Sequence, residues 1–239
     1  RGFWPAGSYL LMLGAALAVG TVTGPLIERG LLRWIYDREP VIQLLATYSL
    51  FLILEDLIKL IWGVNPYFAY RPAWLLGQVW IGGIPYPAYS LLLLGVALLA
   101  GGFIAWFLRG TRTGRLVVAM IHDPEICTAL GVNVPRLFPI TFTMGAILAA
   151  LGGAFTAPML SVVPGISVEV IVLAFAVVVI GGLGSLEGSA VGALLVGLVR
   201  SIMVHQRPEL ELFTVYLVMA LVLLLRPQGL FAREEVRRV

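Results

Sequence analysis

The chain of 239 residues is 60% hydrophobic and 12% charged, with a mean hydropathy of +0.98 and a formal net charge of +3. An ordinary soluble domain carries roughly 25% charged residues, so polar side chains are too few here to cover a water-soluble core, and the bilayer is the solvent that fits. A single cysteine, Cys127, excludes an intramolecular disulfide framework, and His122 and His205 alone make no soft-ligand metal cluster.

Crossing a hydrocarbon layer of roughly 30 Å takes about 20 mostly apolar residues in a helix, because only a helix satisfies its own backbone there. Such stretches occur at 8–27, 41–63, 86–108 and 138–162, followed by a glycine-rich pair at 168–184 and 188–204 and a last span at 212–226. The predicted fold class is all-α: a polytopic transmembrane helical bundle of six to seven spans, with 1–239 forming a single transmembrane domain. The start at Arg1, with no methionine and no charged leader before the first apolar run, is expected of a chain lacking its N-terminal segment or of a processed form.

Eleven of the sixteen Lys and Arg lie in three segments: Glu28 to Pro40, Arg109 to Leu137, and the tail from Arg226. The intervening segments hold only Arg1, Arg71 and Arg207. The positive-inside rule places the basic segments in the cytoplasm, and the alternation is consistent with an odd number of spans. The outer segment Val64 to Pro87 is rich in proline and aromatic rings, among them Tyr67, Phe68, Trp74 and Trp80. It reads as a loop lying on the membrane at headgroup level, with substrate contact as the alternative.

Small residues recur every four positions at Gly145, Ala149 and Gly153, and again at Ser189, Ala193, Gly197 and Ser201. Such ridges let helix backbones approach closely in lipid. The run from Ile180 to Gly188 places Gly181, Gly182, Gly184 and Gly188 around Ser185, which predicts a broken helix or tight reentrant turn. No GK[ST] element follows it, and Lys59, the only lysine, sits inside an apolar span, so these residues contain no Walker A loop. Glu55, Asp56 and Lys59 stand at i,i+3 and i,i+4 spacing, either as a polar patch on a permeation path or as an internally neutralised cluster. Pro158, Pro164 and Gly165 interrupt the end of the fourth span near Thr156, Ser161 and Ser167. That arrangement either lines a polar cavity for a zwitterion or simply ends a helix. Asp123 as N-cap, Pro124 at the first helical position and Gly131 as the stop predict a short cytoplasmic helix, either a docking element or an ordinary loop helix. No nucleophile–base pair or metal-ligand spacing points to an enzyme.

Taken together, these residues resemble the permease subunits of branched-chain amino acid ABC importers of the H-subunit type. The resemblance rests on Glu28-Arg29, Thr113-Gly114-Arg115, Asp123-Pro124-Glu125 with Ala129-Leu130-Gly131-Val132, the Phe175 to Gly192 stretch, and Arg226-Pro227-Gln228-Gly229-Leu230-Phe231. It covers nearly the whole chain. It implies a multi-pass permease of the bacterial inner membrane that works by alternating access, with a second related permease subunit, two cytoplasmic ATPases and a periplasmic binding protein as partners. ATP and Mg would be bound by the partners, and no cofactor or metal by this chain. The coupling loop would be 109–137, with Arg115, Asp123, Pro124, Glu125, Ala129, Leu130 and Gly131 meeting an ATPase. Gly181, Gly182, Gly184, Ser185 and Gly188 would be the gating break. From the residues themselves, apart from the resemblance, Thr156, Ser161, Pro164, Ser167, Glu55 and Lys59 are the candidates for the substrate path. Two departures stand out. The asparagine-phenylalanine-alanine-histidine-glycine stretch of the family is absent, and the Glu55–Lys59 cluster is more charged than the family pattern. The solute therefore stays open among hydrophobic, aromatic and polar amino acids and urea or amides, and an ion-coupled secondary carrier remains the alternative mechanism.

Overall fold

The computed structural model describes residues 5–36, 38–69, 75–160, 162–182, 184–226 and 228–231. It divides into two compact units, Arg1–Pro164 and Gly165–Val239, each described by itself.

The first unit begins with α1 (Pro5–Ile27), which runs without a break through a π-helical turn, Glu28–Leu32, into the short α2 (Arg33–Ile35). The sequence places the end of the first span at residue 27 because Glu28, Arg29 and Arg33 read as a loop. The structure corrects this. Glu28 turns inward and is buried while Arg29 and Arg33 stay exposed, so the helix continues through the charged residues. Pro25 removes one donor from the helical ladder, and the next turn widens to the π register.

Helix α3 (Pro40–Trp62) starts with proline at the position where its missing N–H costs nothing, and ends at Gly63, whose φ is +84°. Gln43 Nε2 donates to the carbonyls of Tyr36 and Arg38, 2.9 Å to each, fastening the start of α3 to the end of the preceding helix. The segment Val64 to Pro87, expected as a loop, contains a hairpin: β1 (Gln78–Ile81) and β2 (Ile84–Pro87), with Val79 opposite Tyr86 and Trp80 opposite Pro85. Gly82 and Gly83 both have positive φ, which is the requirement of the tight turn that suits strand twist. Tyr67 and Val162 exchange reciprocal backbone hydrogen bonds of 3.0 Å, tying this segment to the chain beyond the fourth span.

The unit continues with α4 (Ala88–Gly110), α5 (Arg112–His122), α6 (Pro124–Ala129) and α7 (Val134–Thr156). The principal helix contact is α1 against α7. A Cβ on Gly24 would lie 2.8 Å from the Cα of Thr143, and one on Gly20 would lie 2.8 Å from the Ile147 nitrogen. That close approach belongs to the small-xxx-small pattern of α1. It does not belong to the ridge expected on α7, where a Cβ on Gly145 or Gly153 would meet open space. Tyr89 is buried and donates its hydroxyl to the Phe155 carbonyl at 2.6 Å, holding the start of α4 to the end of α7.

The second unit holds α8 (Ile166–Gly181), α9 (Leu186–Gln206), a 3-10 turn at Pro208–Leu210, and α10 (Glu211–Leu225). They pack around Ala176, Ile180, Val196 and Val215. Among the described residues, six helices are long and apolar enough to cross a membrane, and α8, with sixteen residues, is a shorter apolar helix beside them. This is the polytopic helical bundle expected from composition.

Candidate coupling loop, glycine turn and charge clusters

The segment 109–137 folds as two helices where the sequence indicates one. Thr111 caps α5, its Oγ1 accepting from the Gly114 N–H at 2.9 Å and donating to the Phe107 carbonyl at 2.8 Å. A Cβ on Gly114 would overlap the Phe107 carbonyl, which is the physical reason for glycine in Thr113-Gly114-Arg115. Asp123 ends α5 and caps α6, accepting from the Ile126 N–H at 2.9 Å, with Pro124 at the first helical position. Gly131, φ +81°, closes α6: its N–H donates to the Thr128 carbonyl and the Val132 N–H donates to the Cys127 carbonyl, both at 3.0 Å. These two bonds are the Schellman pattern, which needs a left-handed residue at Gly131.

One face of this helix pair is anchored by the buried Val117, Met120 and Cys127 against Val134 and Leu137 of α7. The opposite side presents Arg115, Ala129, Ile126 and Leu130, the last 77% exposed. The side chains of Pro124 and Glu125 lie outside the described residues. Helix α5 was legible in principle, since the Thr111 cap and the inward Val117 and Met120 fit a helical repeat, but its basic residues read as loop.

The glycine run turns the chain between α8 and α9. Gly182 and Gly184 have φ of +99° and +80°, and Ser185 caps α9 by accepting from the Gly188 N–H at 3.0 Å. Leu183 lies outside the described residues. The glycines also permit backbone contact: a Cβ on Gly188 would overlap the Gly181 carbonyl, and one on Gly192 would lie 3.1 Å from the Gly181 nitrogen. The close approach in α9 is thus made by Gly188 and Gly192, one position before the expected ridge, and Gly197 faces open space. Residues after α10 return to this turn. Leu230 N–H donates to the Ile180 carbonyl at 2.9 Å and Phe231 N–H to the Gly181 carbonyl at 3.1 Å, capping the end of α8.

Three sets of charges lie within or beside the apolar helices. Lys59 Nζ is 2.9 Å from Glu55 and 3.3 Å from Asp56, one turn from the end of α3; Glu55 is 14% exposed and Asp56 78%. Arg200 of α9 donates from Nη2 to Glu169 of α8 at 2.7 Å and from Nε to Glu211 of α10. This triad escaped the sequence reading, since each member stands alone in its own segment. Glu28, 2% exposed, has its Oε2 buried without a hydrogen-bond partner among the described residues. Beside it, burial first and the Glu28 carboxylate second push the Tyr36 phenol above its ordinary range.

The remaining expected path residues are placed as follows. Thr156 returns its hydroxyl to its own helix, at 2.8 Å from the Gly152 carbonyl. Ser161 lies outside the described residues. Pro164 closes the first unit and Ser167 stands in the first turn of α8 in the second.

Apolar helices of spanning length, a capped amphipathic helix pair at one basic segment, and ion clusters within or beside the apolar helices are the features of a multi-pass membrane protein. The sequence comparisons make this specific. The chain belongs to the family described as "Branched-chain amino acid transport system / permease component", which it matches over residues 2–225. It is 26% identical over 231 residues to the high-affinity branched-chain amino acid transport system permease protein LivH of Escherichia coli K12, covering 94% of this chain and 74% of the relative. It is 29% identical over 170 residues to the corresponding permease BraD of Pseudomonas aeruginosa, 69% of this chain and 54% of the relative. The ribose import permease RbsC of Escherichia coli K12 is 29% identical over 201 residues, 78% of this chain and 57% of the relative. No solved structure matches. The chain is accordingly a multi-pass permease of the bacterial inner membrane.

Proposed function

We propose that this chain is the membrane-spanning subunit of an ATP-binding-cassette importer that carries branched-chain or related hydrophobic amino acids from periplasm to cytoplasm. It works by alternating access beside a second related permease subunit, two cytoplasmic ATPases and a periplasmic binding protein. ATP and Mg reside on the ATPases, and this chain contributes no catalytic site of its own. The observation that carries the reading is the doubly capped helix pair of 109–137, anchored on α7 on one side and presenting Arg115, Ala129 and Leu130 on the other, in a member of a transport permease family. A rigid element of this kind transmits a push from a soluble motor to the spanning helix that follows it. Asp123, Pro124 and Gly131 set its geometry, Glu125 stands in its first turn, and the glycine turn at Gly181, Gly182, Gly184, Ser185 and Gly188 is the place where the gating helices are joined.

Affinity purification of the tagged chain from its own membrane, followed by mass spectrometry, tests the assembly. Walker-bearing ATPases in near-equal amount are expected. Recovery of the chain alone, with uptake that follows an ion gradient, transfers the reading to an ion-coupled carrier using Glu55 and Lys59. In the intact importer, Gly131→Val forces a side chain into a left-handed backbone; it is expected to leave ATP hydrolysis running while uptake falls. Unchanged uptake removes the coupling role from this loop.

A further inference from the structure

Arg200 is shared by two carboxylates, yet part of its hydrogen-bonding capacity is unused. Nε is taken by Glu211 and Nη2 by Glu169, while Nη1 makes no hydrogen bond among the described residues. Each glutamate contacts Arg200 through Oε1 alone. The three side chains retain 35%, 42% and 21% exposure, so the chain itself does not seal them off. One arginine against two glutamates leaves an excess negative charge in an apolar unit. Ionisable groups in spanning helices face a protein interior or a water-filled path, since lipid rejects them.

We propose that this triad binds the head group of an amino-acid solute, with the α-ammonium on the free carboxylate oxygens of Glu169 and Glu211 and the α-carboxylate on Nη1 of Arg200. The inference rests on the amino-acid reading above and adds the residues that recognise the solute. Clamping α8, α9 and α10 together accounts for both carboxylates, but it uses only Nε and Nη2 of Arg200 and leaves Nη1 and one excess negative charge unmatched among the described residues. A zwitterion needs one cationic and one anionic contact side by side, and the triad supplies both. The excess negative charge makes the ammonium the stricter requirement. A solute with an ammonium and no carboxylate is therefore accepted better than one with a carboxylate and no ammonium.

The test uses the complete importer in lipid nanodiscs without its binding protein, titrated calorimetrically with leucine, leucinamide and 4-methylpentanoate. Import of leucine by the same wild-type complex, with its binding protein, is measured in parallel. The informative variants are Glu169→Gln and Glu211→Gln, because an amide oxygen still accepts from Arg200 and the clamp persists. Wild type is expected to bind leucine and leucinamide and to discriminate against 4-methylpentanoate. Each variant is expected to lose about tenfold or more in affinity for both ammonium-bearing solutes, with assembly and thermal midpoint unchanged. Wild-type affinity in both variants, or equal binding of 4-methylpentanoate, overturns the inference while the import reading stands. Failure of the wild-type importer to carry or bind any ammonium-bearing solute overturns both.

Discussion

Around Lys59 both carboxylates come from the same helix, three and four residues away, whereas around Arg200 they come from two other helices, eleven and thirty-one residues away. The charge formula is the same in both places, one cation between two acids. What differs is what the ion pairs hold. The Lys59 cluster neutralises charge along one turn of α3 and needs no fold beyond that helix. The Arg200 triad exists only when α8, α9 and α10 are already packed, and so it reports and reinforces tertiary structure. Contacts within an element are cheap to form and cheap to lose, and contacts between elements are neither.

The sharpest separation is expected among glycines. Gly188→Ala places a methyl group on the Gly181 carbonyl, and because both partners are backbone, α8 and α9 must part to admit it. A loss of about 3 kcal/mol is expected, at the upper end of overpacking costs, read as a fall in the thermal midpoint in nanodiscs. The identical change at Gly145 meets open space and removes only glycine's backbone entropy, so it is expected to be neutral or stabilising by about 0.5–1 kcal/mol. Equal effects at the two sites would mean that the interlock of α8 and α9 is not what holds the second unit together.

Arg200→Leu comes next. It leaves Glu169 and Glu211 on separate helices with no cation between them. Because the three groups are partly exposed, the expected cost is below that of a fully buried pair, about 2 kcal/mol or roughly 4–8 °C in midpoint. Lys59→Leu, measured in parallel, is expected to shift the midpoint by less than half as much. A larger shift at Lys59 would reverse the comparison.

The same division governs what could be read from the residues. Spans, caps and turn residues depend on neighbours a few positions away. The bundle, the Asp123 cap, the Gly131 stop and the glycine break were therefore legible, as were the i,i+3 and i,i+4 pairs of Lys59. The Gly82-Gly83 hairpin was equally local and was passed over because the aromatic segment around it read as an interfacial loop. The Arg200 triad, the partnership of Gly20 and Gly24 with α7, and the return of Leu230 and Phe231 onto the end of α8 join distant segments. No periodicity in one segment names its partner in another. Glu28 shows the opposite error: its charge indicated a loop, and only packing reveals that the helix carries it inward.

Asp123→Ala tests the local side at moderate strength. It removes one cap hydrogen bond at a helix of six residues and is expected to cost about 1 kcal/mol. The loss should appear as faster hydrogen exchange at the Ile126 amide, with the spanning helices unaffected. Slower or unchanged exchange at Ile126 would show that the Schellman bonds at Gly131 suffice to hold α6.

The smallest expected effect is the most informative about mechanism. Replacing Glu55→Gln, Asp56→Asn and Lys59→Gln together removes the whole cluster without stranding a charge. Ion pairs along one helix contribute little, and the remaining amides can bond to one another, so folding should be nearly unchanged. Transport then separates the two readings of the cluster. A carrier that moves protons or ions through these groups has no substitute for them, and uptake should collapse with the gradient intact. A permease driven by partner ATPases has no use for their charge, and uptake should continue at close to the wild-type rate, still abolished when the ATPases are disabled. Single neutralisation of Lys59 decides this less cleanly, because it leaves two unpaired carboxylates on one helix, and even a small loss of uptake then has two readings. The triple variant removes that ambiguity, and continued ATP-dependent uptake in it would assign the cluster to the stability of α3 alone.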